Sequence, residues 1–167
     1  MQIFKGRYAA RIEGDFVVFL IGMRINRLLL IHKWLPIIFA MPRMLKELAT
    51  QPDLGMLHAQ TFVSGKTILV VQYWRSFDQL LAYAHAKDLE HLPAWAEFNR
   101  KVGGNGSVGI FHESYLVKAG HYECLSVNMP KQGLAKAGEM VSATGPMRDA
   151  RSRLQGVQKN DGFGQSE

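Results

Sequence analysis

The order of hydrophobic patterns along this chain predicts an α+β fold, a ferredoxin-like βαββαβ unit built on an antiparallel sheet. Three observations predict it. A short run rich in β-branched and aromatic residues, DFVVFLIGMRI at 15–25, is followed by apolar residues at helical spacing. Two apolar runs then flank a Ser64-Gly65 turn. A second helix and a further apolar strand segment complete the order. With 167 residues, the chain is long enough for one domain with its own core.

The run 15–25 is short and β-branched, which suits a buried strand better than a helix. From Trp34 the period changes: Trp34, Ile37, Ile38, Met41, Leu45 and Leu48 form one apolar stripe at helical spacing. Pro36 suits the first turn of that helix, and Pro42 inside the pattern predicts a kink. The stretch Thr50-Gln51-Pro52-Asp53 ends it. Residues 54–63 and 66–74 then read as a hairpin. Ser76 with Gln79 three residues on is a capping-box pattern, and the helix it opens runs to about Glu90. Pro93 breaks that helix or begins a second short one, AWAEFNRKV. After the loop Gly103-Gly104-Asn105-Gly106 come two β segments, SVGIFHESYLVKAG and HYECLSVNM, the second an edge or partner-exchanged strand.

The segment before the first strand, MQIFKGRYAARIEGD, alternates charged and apolar residues and reads as an arm without the leading apolar stretch of a signal peptide. After Pro130 the composition shifts: residues 131–167 hold six glycines and few large apolar groups. The expectation is a domain over 1–130 and a flexible or partner-crossing tail over 131–167. In a ferredoxin-like unit the helices cover one face of the sheet. The other face is apolar and must be covered too, which predicts a homodimer.

The formal charge is +6 and the pI about 9.6, but the basic residues are scattered and no run of five like charges occurs. That pattern argues against a nucleic-acid binder. A single cysteine, Cys124, excludes an intrachain disulfide and a CxxC metal site, and fits a cytoplasmic protein. The run FVVFLIGM is only eight residues long before Arg24, Asn26 and Arg27 interrupt it, so no transmembrane segment is expected. Peripheral membrane contact by the apolar first helix stays open as a minor reading.

The stretches ILVVQYWRSFDQLLAYAHAKDLEHLPAWAEF, FLIGMRINRL and GIFHESYLV resemble the dimeric α/β-barrel superfamily, which includes antibiotic-biosynthesis and haem-degrading monooxygenases. More narrowly, the blocks resemble a family similar to a monooxygenase of fumagillin biosynthesis, over roughly residues 10 to 130. The resemblance implies a small monooxygenase-like enzyme, cofactor-free or haem-dependent, acting on an aromatic, polyketide- or terpenoid-like substrate between sheet and helices.

Within that resemblance His91 falls near the axial haem ligand of the haem-degrading relatives, and an imidazole also serves as a proton acceptor. Asn26 falls near the asparagine those relatives present to the haem. Arg24, on an apolar strand, needs an anion or a partner such as Glu113. Tyr83, Trp95, Trp74 and His58 are candidate substrate-binding walls, with Trp74 also suited to plain packing. Trp95, four residues after His91, is placed to stack beside it. His85 lies six residues before His91, about 120° round a regular helix, so the two form no metal clamp. His112-Glu113 has no metal spacing, GGNG lacks the lysine of a phosphate loop, and neither Ser114 nor Ser126 sits in a nucleophile elbow. The alternative is a non-enzymatic dimer that binds a small ligand or a protein partner. That reading requires Trp34 and Met41 to form an exposed patch.

Overall fold

The computed structural model describes residues 2–102 and 104–154. Its elements in chain order are β1 (Phe4–Arg11), β2 (Phe16–Ile25), α1 (Ile31–Thr50), β3 (Met56–Ser64), β4 (Thr67–Trp74), α2 (Phe77–His85), α3 (His91–Lys101), β5 (Val108–Val117), β6 (Ser126–Met129), α4 (Leu134–Ala137) and β7 (Glu139–Ser142).

Four strands form an antiparallel sheet in the order β3-β4-β2-β5, with α1 linking β2 to β3 and α2–α3 linking β4 to β5. This is the expected ferredoxin-like βαββαβ arrangement. The central strand β2 is paired along most of its length, from Val17 opposite Trp74 to Arg24 opposite Thr67, and on its other edge from Phe16 to Ile25 against β5. Alternation along β2 sends Val17, Phe19, Ile21 and Met23 toward the helices. There Val17, Leu48, Trp74, Leu80 and Tyr83 make a buried core. Each such aliphatic side chain contributes about 1.5–3 kcal/mol by leaving water.

The hairpin turns at Ser64–Thr67 as expected, and Ser76 caps α2 by accepting the Gln79 N–H at 3.1 Å. The apolar stripe of α1 faces inward: Ile37, Ile38, Met41 and Leu45 look onto the sheet and Leu48 is buried. Met41 is therefore wall rather than the exposed patch that the interaction-module reading required. Three details differ from expectation. The helix starts at Ile31, so Pro36 and Pro42 both lie inside it rather than Pro36 in its first turn. The second helix stops at His85, and a separate α3 begins at His91 with Pro93 in its first turn, where a missing N–H costs little. The angular argument separating His85 from His91 on one continuous helix therefore does not apply.

The third difference is a second sheet, β6-β1-β7, formed by the arm and the end of the described chain. Residues 131–154, expected as a tail, contain α4 and β7, and β7 pairs with β1 from Tyr8 opposite Ser142 to Arg11 opposite Glu139. A side chain at Gly138 would meet the Arg11 carbonyl oxygen at 2.0 Å, so only glycine allows this close approach. Gly133 N–H donates to Gln60 Oε1 on β3 at 3.2 Å, tying the segment to the main sheet. The rest of the expected tail, 155–167, lies outside the described residues.

Candidate active site

A cavity of about 310 Å³ lies between the sheet and the three long helices. Phe19, Trp74, Leu80, Tyr83 and Trp95 are among its walls. Among the described residues none of the lining ones is Asp, Glu, Lys or Arg; the polar ones are Gln72, Tyr83, His91, His112 and Ser114. A second cavity of about 250 Å³ adjoins it under α1, sharing Ile21, Ile37, Met41 and Ile110 as a partition.

Four of the residues expected from the sequence meet here. His91, the first residue of α3, stands with its ring 5.9 Å from that of Tyr83. Its Nδ1 lies 2.9 Å from the Ala84 carbonyl oxygen. A carbonyl only accepts, so Nδ1 carries the hydrogen, and in the neutral ring Nε2 keeps the lone pair. Trp74 is fully buried, donates from Nε1 to Gln72 Oε1 at 2.8 Å, and packs 5.9 Å from Tyr83. Trp95 stacks on Phe98 at 5.3 Å rather than on His91 and is half-exposed at the cavity rim.

Tyr83 is held as a neutral phenol. Its hydroxyl donates to Glu47 Oε2 at 2.9 Å, and burial, then the Glu47 hydrogen bond and the charges of Glu47 and Glu90, push its pKa far up. The same Glu47 oxygen accepts the Glu90 N–H at 3.1 Å. Glu90 is the N-cap of α3, where a carboxylate also complements the helix dipole. One carboxylate from α1 thus ties α2 and the start of α3 around the cavity.

Three expected residues lie elsewhere. His58 faces away because β3 carries an extra residue: Met56 stands opposite Trp74, yet His58 stands opposite the adjacent Tyr73. The bulge reverses the face, and His58 stacks on Tyr73 at 6.4 Å with its Nε2 buried and without a hydrogen-bond partner among the described residues. Arg24 alternates with Met23 and Ile25 and sits exposed on the side of β2 opposite the cavity, with Thr67 Oγ1 at 3.5 Å. Its register partner on β5 is Gly109, four residues from Glu113, so the expected Arg24–Glu113 pair does not form. Asn26 follows the end of β2 and donates from Nδ2 to the Gly106 carbonyl at 3.1 Å, fastening the loop before β5.

Sequence reasoning missed Gln72 and Glu47, and weighed Ser114 only as a nucleophile. Gln72 was within reach, because it is two residues before Trp74 on one strand and so shares its face. Glu47 gives no local signal; its role appears only when three helices converge. His112 lies opposite Ile21 on the edge strand β5, its ring 5.8 Å from Phe19, and with Ser114 lines the cavity's open side. Among the described residues no group of three His, Cys, Asp or Glu side chains could hold a metal ion.

A sequence model of a family described as monooxygenase af470-like matches residues 16–134. Monooxygenase af470 of Aspergillus fumigatus is 29% identical over 155 residues, covering 76% of this chain and 52% of that protein. The chain therefore spans about half the length of this curated relative. Among solved structures, SnoaB, a cofactor-independent oxygenase from Streptomyces nogalater, is similar at 12% identity over 60% of this chain and 91% of its own, with a TM-score of 0.44. A dimeric protein of unknown function and ferredoxin-like fold from Bacteroides fragilis is similar at 10% identity over 60% and 96%, with a TM-score of 0.42. The matched residues 16–134 contain the four strands of the main sheet and the three helices that line the cavity, and by that match the chain belongs to the monooxygenase af470-like family.

Proposed function

We propose that the cavity is the active site of a monooxygenase-like enzyme that takes an apolar, electron-rich substrate and uses no resident cofactor. The observation that carries this reading is His91: its Nδ1–H is held by the Ala84 carbonyl, which leaves Nε2 as the proton acceptor on a ring lining an apolar cavity. An enolisable polycyclic ketone suits such walls. His91 takes the proton, and the resulting enolate reacts with dioxygen itself. In the net change a methylene becomes a carbonyl: one oxygen atom enters the carbon, and the other leaves as water with the two hydrogens. Phe19, Trp74 and Leu80 exclude bulk water from the anion, and Gln72 and Ser114 offer hydrogen bonds to its oxygen.

Haem fits this lining poorly. His91 is a suitable ligand type, but among the described residues no lining Lys or Arg meets the propionates, and Arg24 and Asn26 stand outside the cavity. The side of the sheet away from the helices carries exposed Phe62, Phe111 and Tyr115, which supports a homodimer closed through that face. In that case Phe62→Glu yields a monomer by sedimentation velocity.

The test is oxygen uptake with anthrone as the probe. The native chain consumes oxygen, and His91→Ala lowers turnover by roughly 10²–10⁴-fold. Saturable anthrone binding with no oxygen uptake sinks the enzymatic reading in favour of a binding protein.

A further inference from the structure

We propose that the outer face of α1 docks on the surface of an anionic lipid membrane. An ordinary surface helix buries one stripe and offers polar residues to water. Helix α1 is apolar on both sides. Its inner stripe walls the two cavities, while Ile31, Leu35 and Phe39, spaced i, i+4 and i+8, form an outer stripe in solvent. Leu28 and Leu29 extend that stripe from the turn before the helix, with Leu29 94% and Phe39 58% exposed. The turn is held there: Trp34 Nε1 donates to the Leu28 carbonyl at 2.9 Å.

The charge along this stripe is mostly basic. Residues 27–46 contain Arg27, Lys33, Arg43 and Lys46 and no Asp or Glu, with Arg43 paired at 3.2 Å to Glu90 at the start of α3. A protein partner of mixed charge gains nothing particular from that arrangement, whereas an anionic lipid surface matches it directly. No helix among the described residues is long and apolar enough to cross a membrane, so α1 lies in the plane of the interface, its leucines entering by roughly 5–10 Å. The face is separate from the one proposed for the homodimer, because α1 covers the opposite side of the sheet. Docking also stands independently of the oxygenase reading.

Flotation of the full chain with vesicles tests it. The chain floats with vesicles of phosphatidylcholine and phosphatidylserine, stays behind with phosphatidylcholine alone, and releases as salt rises. The double variant Leu29→Ser/Phe39→Ser lowers partition roughly tenfold or more, and Arg27→Glu/Lys46→Glu lowers it as well. All four positions are exposed, so thermal melting confirms that the variants stay folded. Three outcomes overturn the proposal: no flotation with either vesicle, unchanged flotation of the Leu29/Phe39 variant, or a dimer in solution that this variant dissociates while vesicles bind nothing. The last assigns the stripe to a second copy.

Discussion

The Tyr83 hydroxyl donates to Glu47 Oε2 at 2.9 Å, joining α2 to α1 across the floor of the cavity. A hydrogen bond to a charged acceptor contributes about 1.5–3 kcal/mol. Glu47 is only partly buried, which favours the lower end. Tyr83→Phe is expected to lower unfolding free energy by about 1–2 kcal/mol in urea titrations. The Tyr83→Phe/Glu47→Gln double variant loses less than the sum of the singles, because the two groups act on one bond. Additive losses refute the coupling.

His58 makes stability depend on pH. Burial, with Lys136 acting the same way, holds its imidazole below the ordinary value of 6.5. As pH falls, the unfolded chain takes up the proton first, so this contribution is whole above about pH 6.5 and shrinks as the pH drops toward the lower folded pKa. Urea midpoints of the native chain should decline through this window more steeply than those of His58→Asn. Parallel profiles exclude His58 as the cause.

Gly22 stands opposite Phe111 across β2 and β5, and the ring lies over the glycine. A Cβ at position 22 would meet Phe111 Cε1 at 2.1 Å and Cζ at 2.4 Å. The half-exposed ring can swing away, so Gly22→Ala is expected to cost about 1–2 kcal/mol rather than to prevent folding. In a Phe111→Ala background the same change is near neutral. Thermal melts of the four proteins check this, and an equal cost in both backgrounds removes the ring as the reason.

Ala94 lines the cavity from α3. Ala94→Phe fills part of the 310 Å³ and is expected to weaken binding of the apolar dye ANS by roughly tenfold. Ala49→Ser, on the exposed side of α1, leaves dye binding unchanged and serves as the control. Fluorescence titration distinguishes them.

Much of this arrangement was legible in the sequence because local patterns carry it. The order of elements, the Ser64-Gly65 turn, the Ser76 cap and the inward stripe of α1 follow from periodicity and turn chemistry. The bulge in β3 was not legible: one extra residue between Met56 and His58 leaves no compositional mark, yet it turns His58 from the cavity to the other face. The break between His85 and His91 was half legible, since Pro93 announced it without fixing its start. Asn26 shows the limit of resemblance, because its side chain is taken up by the Gly106 carbonyl. The pairing of β1 was hidden because its partners are far along the chain.

That separation dictates an order of assembly. The sheet β3-β4-β2-β5 needs no residue after Val117, so it can close while the remaining chain is still unpaired. Strand β1 waits: Tyr8 stands opposite Ser126 on one side and Ser142 on the other. Closing loops of that length is slow. Until it happens, β1 shows two open edges to any neighbouring chain, and aggregation during refolding is expected to begin there.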